Sequence, residues 1–229
     1  MTVFILIFLL IAVMVTIGGI YGWKQEQKRR QALAAAATRL GLSFSSEKNY
    51  ELAGQLGFLD RLQKGSNRYC YHVARGAYEG HEVIVCDYHY ETYSRGKHGR
   101  QTHHHYLNLT TMIIPVFVPE LQIAPESFLD KIASSLGFDD IDFESAEFSR
   151  KFKVTSPDKK FAYDFCHARM IEYLLLKPDQ ILEVEGNTLA EIRRGRLTPK
   201  TLRSDLEHLA QIRSLIPGYL LKTPPPQLP

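Results

Sequence analysis

Three cysteines, one tryptophan and a net charge of only +3 over 229 residues set the first limits on this chain. Cys70, Cys86 and Cys166 are odd in number, widely spaced and without a Cys-x-x-Cys pair. That excludes a disulfide framework and favours free thiols in a reducing compartment. The small net charge excludes a nucleic-acid-binding surface of the usual basic kind. Catalytic signatures are also missing: there is no Gly-x-Ser-x-Gly, phosphate-binding loop, Gly-x-Gly-x-x-Gly or His-Glu-x-x-His. Enzyme chemistry has no motif to start from, and no cofactor is implied.

Charge is absent altogether from one stretch. Val3 to Trp23 contains no Asp, Glu, Lys or Arg, and a helix of that length crosses a hydrocarbon core about 30 Å thick. A cleaved signal peptide wants positive charge before a shorter apolar run and small residues at a cleavage site. Here Lys24, Lys28, Arg29 and Arg30 follow the run instead, and Gly19-Ile20-Tyr21-Gly22-Trp23 is a poor site. The reading is an uncleaved anchor, with Tyr21 and Trp23 at the interface and the basic collar among lipid headgroups. The Lys/Arg bias places the N-terminus outside and the rest of the chain on the cytoplasmic side of a cell inner membrane.

Four segments follow: an anchor over residues 3–23, a juxtamembrane helix over 24–41, an α+β domain over 42–222 and a disordered Pro-rich tail over 223–229. The helix carries Ala34 to Ala37 and ends at Gly41. Leu42-Ser43-Phe44 reads as a short strand, and Asn49 to Gln63 as a helical turn and loop. Arg68–Tyr78 and His81–Tyr93 form a hairpin about Glu79-Gly80. A second tip at Ser94–Gln101 leads into Thr102–Val118, with Pro115 marking a bulge or edge. A short helix is expected over Pro125–Leu136, and an acidic strand edge over Phe138–Ser145. Phe148–Val154 reads as a half-buried strand with Arg150 turned inward toward that acidic run. One core helix should run from Ser156-Pro157 to Leu176, followed by a third hairpin about Gly186-Asn187. Thr198-Pro199 then opens an amphipathic helix with Leu202, Leu206, Leu209 and Ile212 inward. Hairpins with helices between them predict a mainly antiparallel sheet with packed helices.

The histidines are the main chemical candidates. Pairing the first hairpin about Glu79-Gly80 sets Cys70 opposite His89 and His72 opposite Asp87 on one face. A second hairpin turning near Lys97-His98 brings His104 close to His89 and Glu91. Cys70, His72, Asp87, His89 and His104 would then offer the thiol, imidazole and carboxylate donors of a zinc or copper site. The competing reading is a solvated sheet face that needs only to be polar, and a one-residue slip scatters the set. On the opposite face, Tyr69, Tyr71 and Val73 against Ile84, Cys86, Tyr88 and Tyr90 read as core. Cys166 and His167 point about 100° apart on a helix and form no dyad. Arg95, Lys97 and Arg100 at the second tip form a basic loop that either stays solvated or touches anionic lipid.

Gly76-Ala77-Tyr78-Glu79-Gly80, Val83 to Tyr90, Asp140 to Phe143 and the run Phe148-Ser149-Arg150-Lys151-Phe152-Lys153-Val154 carry a family likeness. With the single anchor before them, they resemble bacterial single-pass membrane-anchored proteins of unknown function. The resemblance implies a bacterial membrane protein and supplies no activity. It also implies packing at position 86, where such proteins often carry Phe, and it lends nothing to Cys70 or to His103–His105.

These readings favour a non-enzymatic interaction or sensing module at the membrane surface. Its partners would be the lipid bilayer and a membrane or cytoplasmic protein, without nucleic acid. The alternatives are a metal-binding sensor or metal-dependent hydrolase on the histidine patch, and an anionic-lipid-binding surface.

Overall fold

The structure, a computed structural model, describes residues 2–96, 99–125 and 140–222. Helix α1 runs unbroken from Thr2 to Arg39, so the apolar segment passes into the segment after it without a hinge. Among the described residues it is the one helix long and apolar enough to cross a membrane. From Ile7 to Gln25 it is exposed along every side. From Leu33 the character changes: Leu33 and Ala37 are completely buried against the domain, and Gly41, at φ +74, closes the helix.

The domain is α+β. Strands β1 (Ser43–Ser45), β2 (Ser66–Tyr78), β3 (His81–Gly96), β4 (Gly99–Pro125), β5 (Phe152–Thr155) and β6 (Ile181–Arg194) form one antiparallel sheet. The order is β1-β2-β3-β4-β5, with β6 paired to β4. Strand β4 is the spine, holding β3 along its first half and β6 along most of its length. Helices α1, α3 (Ala146–Lys151), α4 (Lys159–Phe165), α5 (Ala168–Leu175) and α6 (Pro199–Leu215) cover one face. The opposite face is closed by α2 (Tyr50–Gln55) and the turns after it, through Leu52, Leu56, Leu59 and Leu62. Burying one set of alternating side chains under each layer gives two apolar clusters, one per face.

Several expectations change. Phe148–Val154 is not one strand. Ser145 accepts from Phe148 N and caps the short α3, and β5 begins only at Phe152. Arg150 sits exposed on that helix rather than inward. Asp140–Ser145 forms no strand, although Asp140 Oδ1 accepts from Val154 N at 3.0 Å. The single core helix to Leu176 is two. Ser156 hydrogen-bonds to Glu120 O, leaving Asp158 as the N-cap of α4. The chain then breaks at His167, whose Nε2 donates to Leu215 O at 2.9 Å. Gly186-Asn187 is no hairpin turn but an irregularity inside β6. Gly186 takes φ +58, and the strand is paired with β4 on both sides of it. The longer β4 stretch Ile114–Phe117, containing Pro115, bows out opposite Asn187, so that β6 continues past it. Of the helix expected over Pro125–Leu136, Pro125 ends β4 and the rest lies outside the described residues, as does the tail from Thr223.

Candidate functional site

The first hairpin does turn at Glu79-Gly80, with Tyr78 opposite His81. The register then slips by one at His72-Val73, where His72 adopts φ +49, so that Tyr71 rather than His72 faces Asp87. An extra residue on one strand flips every side chain beyond it. Cys70 therefore crosses to the face of Cys86 and Tyr88, where it is completely buried. Tyr69 and Tyr71 cross the other way: Tyr69 stacks on His89 with ring centroids 4.4 Å apart. The expected five-residue set is thus split into two groups, and Cys70 belongs to neither.

The first group joins α1 to the sheet. Asp87, 0% exposed, accepts from Leu197 N at 2.6 Å through Oδ1 and from the Arg29 guanidinium through Oδ2. Arg29 also donates twice to Leu197 O, each at 3.0 Å. His72 Nδ1 lies 3.1 Å from Asp87 Oδ2, and its Nε2 lies 3.5 Å from Glu26 Oε1. Glu26 is also 3.7 Å from Arg196. Arg29 is therefore not a headgroup contact of the collar, because it faces the protein. It stands on the same helical stripe as the buried Leu33 and Ala37, four and eight residues on, and that spacing was the available signal. Lys24, Lys28 and Arg30 are exposed as expected of a collar, with Arg30 at 3.8 Å from Glu47.

The second group lies farther along the same face. His89 and Glu91 are two residues apart on β3, and His104 is directly across from Glu91 on β4. His89 Nε2 is 3.1 Å from His104 Nδ1, which is 3.5 Å from Glu91 Oε1. Asn67, on β2, holds both β3 residues: its carbonyl lies 3.1 Å from His89 Nδ1, and its amide donates to Glu91 Oε1 at 2.6 Å. Burial holds His89 below the usual histidine value, opposed by the Asn67 carbonyl. For Glu91 the Asn67 amide is the largest influence and lowers its pKa. His103 and His105 bond instead to Ser94 and Thr92.

Beyond this group β3 and β4 have no flanking strand among the described residues: β2 ends opposite Glu91, and β6 ends opposite Leu107. The pair projects as a free ribbon carrying exposed Arg95 and Arg100, with Arg100 stacked on Tyr93 at 3.5 Å. Lys97 lies outside the described residues. One further feature has no strong sequence signal. Glu183 is completely buried beside Asp60 and accepts from Asp60 N at 2.5 Å; burial pushes its pKa up to about 8. Glu120, raised chiefly by burial and then by Asp60, reaches about 7.

No family model matches the sequence, and no curated protein matches it. Among solved structures the chain is similar to the mycobacterial trehalose monomycolate transport factor A, TtfA, with a TM-score of 0.64 at 13% identity. The alignment covers 87% of this chain and 97% of that one. At that identity the likeness shows a shared fold.

Proposed function

We infer that this chain is a single-pass bacterial inner-membrane protein, N-terminus outside, whose cytoplasmic domain is a non-enzymatic interaction or sensing module at the membrane surface. The observation that carries this reading is the Arg29–Asp87–Leu197 junction, with Leu33 and Ala37 buried beside it. A domain on a loose tether samples every orientation, whereas one seated on its own anchor helix presents a constant face to the bilayer. Exposed Lys24, Lys28 and Arg30 and the free thiols support the cytoplasmic side. A fold shared with a transport factor fits an auxiliary role of this kind.

The ribbon favours a second reading, contact with anionic lipid. Arg29 is level with His72, and Gly41 with Gly76. α1 and β2 therefore run the same way, and the antiparallel β3 carries the ribbon toward the side from which α1 arrives. Arg95 and Arg100 thus extend from the domain on the side of the apolar segment.

One experiment addresses both readings. The full chain in nanodiscs carries an environment-sensitive dye at Ser94, and a C-terminal reporter establishes topology in cells. A cytoplasmic reporter, with a dye shift in anionic discs that salt and Arg95→Glu/Arg100→Glu abolish, is expected. An external reporter overturns the first reading, and a dye indifferent to lipid charge overturns the second.

A further inference from the structure

His89, Glu91 and His104 meet on neighbouring positions of β3 and β4 at the foot of the ribbon. A carbonyl oxygen only accepts, so His89 Nδ1, 3.1 Å from Asn67 O, carries the proton of the neutral ring. That leaves Nε2 as a bare lone pair aimed at His104 Nδ1. Glu91 Oε1, which accepts from the Asn67 amide, lies 3.5 Å from the same His104 nitrogen. One potential ligand atom from each of the three residues lies within 4.8 Å of the others. We propose that His89, Glu91 and His104 form a zinc-binding site at the base of the β3–β4 ribbon.

The spacing agrees with that assignment. Tetrahedral zinc with bonds of about 2.05 Å has ligand–ligand edges of about 3.3 Å. Two edges of the group, 3.1 Å between the histidines and 3.5 Å from His104 to Glu91, bracket that value. The supporting contacts are those a metal site needs. Asn67 O fixes the His89 tautomer, the Asn67 amide and the Tyr93 hydroxyl hold the two oxygens of Glu91, and Tyr69 stacks beneath the His89 ring. Two imidazoles and a carboxylate suit zinc better than calcium or magnesium, which prefer all-oxygen shells. The set differs from the one expected from sequence. Glu91 enters, whereas Cys70, His72 and Asp87 leave, because the bulge at His72 moves the thiol across the sheet and the Arg29 junction occupies the other two. His89 is 1% exposed while the His104 side chain is 53% exposed, so the fourth corner of the tetrahedron opens to solvent. Water or a donor atom from a partner completes it. Zinc here would clamp β3 to β4 where the ribbon leaves the sheet, so metal occupancy would set how stiffly the ribbon is held.

The full chain, purified in detergent without a histidine tag, is titrated with Zn2+ against a chromophoric chelator, and bound metal is counted by elemental analysis. One ion per chain is expected, with tetrahedral d–d bands when Co2+ replaces zinc. Removing an outer supporting group costs a metal site about 10–100-fold in affinity, so loss of a ligand in His104→Ala or Glu91→Gln should cost at least about 100-fold. His104 is exposed enough for its variant to fold, and an unchanged melting temperature without metal verifies this. His103→Ala, on the other face, should bind as the parent does. Substoichiometric zinc in the parent, or equal affinities for His103→Ala and His104→Ala, overturns the site.

Discussion

Replacing Arg29 by Met keeps the length and apolar stem of the side chain but removes the guanidinium from Asp87 and Leu197. Asp87 is 0% exposed and the Arg29 side chain 16%, so the carboxylate gains no water in exchange. Breaking a buried pair from one side costs about 3–5 kcal/mol. Asp87 keeps the Leu197 N–H and the His72 ring as partners, which places the loss at the lower end, about 3 kcal/mol. For a chain of this size that is a fall of about 6–12 °C in melting temperature. The assay is thermal unfolding in detergent paired with hydrogen exchange. Amides of α1 from Glu26 to Leu33 should exchange faster, while those of β3 and β4 away from the junction stay protected. Arg29→Lys sharpens the test. A lysine restores the charge but cannot reach Asp87 and the Leu197 carbonyl together, so it should recover only part of the loss. Full rescue by Lys would mean that Arg29 acts as a plain positive charge at the headgroups. A shift below about 1 °C for Arg29→Met with unchanged exchange would refute the junction, given the 2–4 °C expected per kcal/mol.

Glu183→Gln should stabilise the protein at neutral pH. A carboxyl raised from 4.5 to about 8 in the folded state keeps its proton there while the unfolded chain loses its own. Its favourable share is therefore full below about pH 4.5 and lost as pH rises to about 8, amounting to about 3 kcal/mol by pH 7. The Gln variant keeps the acceptor for Asp60 N, so pH-resolved denaturation should show a gain at pH 7 that vanishes near pH 4; no gain at neutral pH counts against a buried neutral acid. Cys70, Cys86 and Cys166 are all buried, and burial pushes the Cys166 thiol up, so a water-soluble thiol reagent should label none in the native protein and all three after guanidinium. Fast native labelling of any one would show that its core packing is wrong.

Much of the fold was legible because its causes are local. Val3–Trp23 is apolar and long enough to span, and no residue from Gln25 to Leu40 interrupts a helix. Thr198-Pro199 opens α6 with a capping box, and Leu202, Leu206, Leu209 and Ile212 are all buried. Glu79-Gly80 turns the first hairpin, and the pairing of Glu91 with His104 follows from the same register that sets Gly96 opposite Gly99. What failed shared one cause, namely that a local pattern admits two long-range outcomes. Phe-Ser-Arg-Lys-Phe alternates as a strand would, yet the Ser145 cap wins a turn of helix from it. Gly186 suits a hairpin turn and a strand bulge equally, and only the length of β4 alongside decides for the bulge.

The sequence by itself determined the long apolar N-terminal helix, the α+β class and the side chains available to a polar sheet face, because hydropathy, capping and turn chemistry act within a few residues. Tertiary structure alone decided which of those side chains meet. A single extra residue at His72 carries Cys70 into the core. The docking of α1 takes Asp87 and His72 for Arg29, and what remains at the foot of the ribbon is His89, Glu91 and His104. Side chains alternate with a period of two, so a shift of one residue reassigns every partner beyond it. That shift is determined by packing between segments far apart in the chain.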